Sequence, residues 1–186
     1  MTEEDHAERR RPATPAEDGR EPTPAGLVFE IPVGDGRAYL GQVVTEHFAG
    51  IYVVVFDLVV GGVDPGQDSL DELATAPPPF AALPLSSPPA RGSWRAAGRA
   101  AVAAERFLPA YKITSGDPVR FFVEDFPGAR RRSATPLEIE TVPFRTTSSP
   151  AYLDRAVAAR EGLTPWLPAL DRVRAGGVIL ATDVFR

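Results

Sequence analysis

The stretch IYVVVFDLVV, residues 51–60, decides the fold: nine of its ten residues are apolar, and most are β-branched or aromatic. Such a run suits a strand covered on both faces, because β-branched side chains pack well on a pleated surface and leave no polar face for water. Asp57 splits it, and the two halves fall short of the roughly 18 apolar residues that a membrane helix needs. Upstream, residues 37–44 alternate with Tyr39 and Val43 on one side. Before them Leu27, Phe29, Ile31 and Val33 alternate with Val28, Glu30 and Pro32, the period of a strand. Gly34-Asp35-Gly36 between these segments is a tight hairpin signal, and residues 46–50 supply a second reversal. Three antiparallel strands joined by short turns make a meander of the kind from which small barrels are built. Pro32 cannot donate to a ladder, so its place is an edge or a strand end.

Downstream, residues 61–90 contain seven prolines. They read as a long loop with a short helix near residues 69–74. Loops of that length inside a compact domain tend to carry function. Shorter strands are expected at residues 93–99, 107–113, 119–124 and 137–142. Ser149 followed by Pro150 is a helix start; Leu153, Ala156 and Val157 then share one face until Gly162 stops the helix. A second short helix is expected at 168–174 and a last strand at 178–180. The fold class is therefore α+β, mainly β, with an antiparallel N-terminal meander and one or two helices near the C-terminus.

At 186 residues and 44% hydrophobic content the chain closes one core. Residues 1–25 hold four prolines, seven acids and four arginines. They bury too little to offset ordering entropy and read as a disordered tail, without the apolar run of a secretory signal. Residues 26–186 form the single folded domain. The absence of cysteine suits a reducing compartment, and a soluble, cytoplasmic protein is expected.

Net charge is −5, and its distribution is uneven. Residues 38–90 contain no Lys or Arg but carry Glu46, Asp57, Asp64, Asp68, Asp71 and Glu72. Residues 91–132 reverse the balance, with nine basic residues against four acids. Asymmetry of this kind steers a charged partner, or pairs internally on the surface. Asp57, Asp64, Asp68, Asp71 and Glu72 are the candidate partner-binding residues, forming a docking surface for a basic protein. Their spacing lacks the alternation of a calcium loop.

Catalytic patterns are not found. His6 and His47 are the only histidines, too few for a multi-histidine metal site. His47 with Asp57 could serve as a base, yet no serine stands in a nucleophile elbow, and His47 reads as a solvated turn residue. Lys112 is the only lysine and no phosphate-cradling loop surrounds it. Arg130, Arg131 and Arg132 make a basic triplet expected in a solvated turn. Trp94 and Trp166 are expected as core anchors. No cofactor and no catalytic residue is assigned.

The segment GLVFEIPVGDGRAYLGQVV, residues 26–44, resembles the signature of the immunity protein 26 family of bacterial polymorphic toxin systems. The similarity runs on through the strand ending in Phe56 and Asp57, Gly92-Ser93-Trp94 with Gly98, residues 107–112 and the serine-capped helix after Ser148. It spans residues 26–161; the Pro-rich insertion at 77–89 and Ala96-Ala97 depart from the pattern. The resemblance implies a cytoplasmic, non-enzymatic antitoxin that binds a cognate toxin domain. The rival expectation is a small β-barrel that binds nucleic acid through the basic segment 91–132.

Overall fold

The computed structural model describes residues 24–48, 50–61, 65–85 and 94–186. The expected tail, apart from its last two residues, lies outside them, as does Asp64.

Strands β1 (Leu27–Gly34), β2 (Arg37–His47) and β3 (Gly50–Gly61) form the expected meander. Gly34 pairs with Arg37, leaving a two-residue loop in which Asp35 and Gly36 have φ of 54° and 72°. Positive φ at both positions matches the right-handed twist of the flanking strands. A five-stranded antiparallel sheet results when β4 (Phe80–Ala82) joins β3 and β5 (Arg95–Arg99) joins β1, in the order β4-β3-β2-β1-β5. Pairing with β5 ends opposite Glu30, so at Pro32 strand β1 is a local edge and its missing N–H is tolerated. A second antiparallel sheet contains β6 (Ala110–Ser115), β7 (Arg120–Asp125) and β8 (Arg131–Ser133). Neither sheet closes: the meander is not the wall of a barrel, and β4 and β5 remain edges.

The sheet stays open because each face has its own cover. Phe29, Ile31, Val43, Val53 and Val55 pack with Trp94 beneath helix α3, defined below. Their sequence neighbours Val28, Val44, Tyr52, Val54 and Phe56 face the other way, toward Phe107, Tyr111 and Phe126 of the second sheet and its approaches. Consecutive residues of β3 thus belong to different cores, which is why residues 51–56 are all apolar and all buried.

The helices α1 (Gln67–Glu72), α2 (Pro136–Thr141), α3 (Ala151–Arg160) and α4 (Ala181–Val184) are short. Helix α3 begins as expected: Pro150 already has helical dihedrals, and Ser149 Oγ accepts from the Ala151 amide at 3.3 Å. Its Leu153, Ala156 and Val157 are buried against the first sheet. Residues 137–142, expected as a strand, are instead largely α2. Thr135 and Glu138 form a reciprocal capping box around Pro136, a local signal that outweighs the alternation Leu137-Glu138-Ile139-Glu140. Residues 178–180, also expected as a strand, make one isolated bridge, Pro109 to Leu180, where the chain straps across from one sheet to the other. Among the described residues no helix is long and apolar enough to cross a membrane.

Candidate partner-binding site

The acidic residues separate into two places. Asp57 lies on β3, exposed, and its Oδ2 accepts from Arg160 Nη2 at 2.6 Å. Beside it Tyr39 donates to Glu161 Oε1 at 2.6 Å, and Arg37 pairs with Glu161 Oε2 at 2.9 Å. Burial and the bond to Glu161 push the Tyr39 hydroxyl up to about 12, so it stays a donor, while the Tyr39 and Arg37 bonds hold the Glu161 carboxyl below its ordinary value. These contacts fasten the C-terminal turn of α3 onto β2 and β3. Asp57 is therefore already committed inside the molecule.

Asp68, Asp71 and Glu72 are exposed on α1, at positions 1, 4 and 5 of a run that shares one helical face. Leu70 and the following Leu73 are buried and hold this helix on the core beneath. Opposite Leu70 stands Gly98 of β5, where a Cβ would lie 3.2 Å from Leu70 Cδ1. Gln67 donates to Asp71 Oδ1 at 2.8 Å, and among the described residues no ion pair engages any of the three acids. Their charge is available to a partner.

The basic triplet is spent differently. Burial alone would raise the Asp125 carboxyl, but amide and side-chain bonds from Arg130 and the Ala129 amide outweigh it, and its pKa is lowered. Arg132 forks onto Glu138 at 2.8 and 2.6 Å and donates to the Val184 carbonyl at 2.9 Å. Arg131 lies over the Phe122 ring, 4.3 Å from its centroid. Instead of occupying a solvated turn, Arg131 and Arg132 begin β8, and Arg130 and Arg132 staple that strand to the C-terminal segment through the Phe185 and Val184 carbonyls.

His47 and Asp57 do not form a pair. Asp57 holds Arg160, while His47 meets Arg145, whose second nitrogen donates to the Phe126 carbonyl at 2.7 Å. Desolvation and the Arg145 charge lower the His47 pKa, so the ring is neutral near pH 7. It is half-buried against Phe126 with ring centroids 5.1 Å apart, rather than solvated. Trp94 is a core anchor as expected, 4.6 Å from Phe29 in a parallel stack and donating to Asp154 of α3. Trp166 is only partly buried, stacked on Phe80 and under Arg174.

Sequence reasoning missed Phe48. It sits at the tip between β2 and β3 with φ of 51° and 97% of its surface exposed. Its ring stands edge-on to His47, 4.5 Å between centroids, and His47 rests on Phe126. A Phe where a two-residue turn favours Gly or Asn was the available signal. Among the described residues no cluster of His, Cys, Asp or Glu could hold a metal ion. No family model, curated protein or solved structure matches the chain.

Proposed function

We propose that this chain is a cytoplasmic immunity protein that binds a cognate toxin domain and blocks it without catalysis. The observation that carries the reading is Phe48. A bulky residue in the left-handed region costs on the order of 1–3 kcal/mol, and an exposed ring recovers none of it through burial. The ring stands edge-on to His47, which itself rests on Phe126, so it is presented to a partner from an ordered tip, and an exposed aromatic at such a tip suits a binding anchor. Helix α1 adds an acidic face that steers a basic partner. The family resemblance, which extends from β1 to α3, supplies the class of partner. The nucleic-acid reading is weaker, because Arg130 and Arg132 are each neutralised by a carboxylate.

The test is a co-expression survival assay with the toxin domain of the neighbouring reading frame, with association rates measured at two ionic strengths. Wild type is expected to protect and Phe48→Asn to lose protection. Replacing Asp68, Asp71 and Glu72 by lysine should slow association steeply at low salt. Absence of protection by wild type, or binding of duplex DNA that weakens with salt and with loss of Arg131, would replace this reading by another.

A further inference from the structure

A cavity of ≈ 280 Å³ lies on the side of the first sheet that faces the second, under the strap that leads into α4. Its floor is Tyr52, Val54 and Ala81 of β3 and β4, its wall Phe107, and its roof Val178 and Leu180 of the strap. The strap is tied at both ends: the Ala175 amide donates to the Pro79 carbonyl at 2.9 Å, and the Ala181 amide to the Leu108 carbonyl at 2.9 Å. Between these ties the Ile179 carbonyl also accepts from the Ala110 amide of β6 at 2.8 Å, so the roof opens on the side of the exposed Gly176 and Gly177, between the Ala175 tie and that bond.

Tyr52 sets this cavity apart from a packing defect. The residue is 3% exposed, and its hydroxyl has no hydrogen-bond partner among the described residues. An unpaired buried hydroxyl is costly, and phenylalanine would fill the same space without that cost. Burial pushes the Tyr52 pKa far up, so the group is a neutral phenol that can donate its proton. Among the described residues the one other ionisable side chain on the lining is Arg106, half-buried, which donates to the Ala74 carbonyl and keeps further N–H groups in hand. Among the described residues no acid lines the space. The lining is thus apolar with one neutral donor and one cation.

We infer that this cavity binds a small carboxylate with an aromatic or short aliphatic body, its carboxylate taken by the Tyr52 hydroxyl and Arg106 and its body by Val54, Phe107 and Val178. Size agrees: an apolar cavity of about 150 Å³ accepts benzene, so this one accommodates a ring with its acid group. The site is independent of the toxin-binding reading, since Phe48 and α1 do not line it.

The experiment uses the full chain with benzoate and hexanoate as probes and benzyl alcohol as the uncharged comparison, followed by amide NMR and thermal shift. The expected result is saturable binding of a carboxylate with Kd below about 1 mM, with shifts centred on Ala81, Phe107 and Val178. Tyr52→Phe should weaken it at least tenfold while leaving Tm equal or higher. Arg106→Gln, at a half-exposed position, should weaken the carboxylates and leave benzyl alcohol unaffected. Equal binding of benzyl alcohol and benzoate, unchanged benzoate affinity in Tyr52→Phe, or no saturable shift with either carboxylate up to about 10 mM would overturn the assignment. In the last case the Tyr52 hydroxyl is satisfied by water alone.

Discussion

Phe29 occupies the space that a side chain at position 41 would need: the two residues face each other across β1 and β2, and a Cβ on Gly41 would lie 2.4 Å from the Phe29 ring. The close approach lets the ring lie flat against Trp94, so the glycine is a packing requirement of the first core.

Gly41→Ala should therefore cost about 1–3 kcal/mol by overpacking, and Phe29→Ala about 3–5 kcal/mol by cavity formation. Because each relieves the other's defect, the double variant should fall short of the sum by more than about 0.5 kcal/mol. Urea unfolding of the four proteins measures this, and strict additivity would show that the ring moves aside freely.

Stability should respond to acid through Glu138. The bond to Arg132, with the Thr135 cap bonds, holds its carboxyl at about 2 against an ordinary 4.5. A depressed carboxylate stabilises the fold above its unfolded pKa, and that contribution disappears as pH falls from about 4.5 toward 2. Glu138→Gln should flatten this part of the Tm-versus-pH curve, and Thr135→Ala should cost about 1 kcal/mol through loss of the cap.

Asp154 has the opposite sign. Burial raises its pKa, although the Trp94 indole N–H favours the anion. A raised carboxyl binds its proton more readily in the folded state, so the ionised group weakens the fold at neutral pH and that loss is recovered as pH falls. Asp154→Asn keeps an acceptor for Trp94 and should be as stable as wild type or more so at pH 7, the difference vanishing in acid. Asp154→Leu should cost about 1–3 kcal/mol by leaving the indole N–H unpaired. A destabilised asparagine variant would show that charge on Asp154 is needed.

Phe48→Asn should raise Tm or leave it unchanged, because asparagine accepts the left-handed backbone and the exposed ring contributes little burial. A loss of several degrees would place Phe48 among the structural residues and remove it as an anchor.

The meander was legible because alternation, an Asp-Gly turn and a long β-branched run all point the same way. The start of α3 was legible from Ser149-Pro150. Helix α2 was misread because Leu137 and Ile139 alternate with Glu138 and Glu140 like a strand, while the deciding contact is a cap made by one side chain on its neighbour's amide. Strand β4 lies in a proline-rich loop and is only three residues long, so its pairing with Val53, Val54 and Val55 is a tertiary event with no local pattern. At the candidate site, composition identified the acids of α1. It could not separate them from Asp57, whose partner Arg160 is 103 residues away.

The division of β3 between two cores has a consequence for how the molecule opens. Helix α3 and the second sheet cover opposite faces of one sheet, so either can detach while the other remains packed. Amides of β2 and β3, sheltered by both, can exchange with solvent only when both covers have left. Hydrogen exchange should accordingly find two independent low-energy openings, one at α3 and one at β6 to β8, above a most slowly exchanging set at residues 51–55.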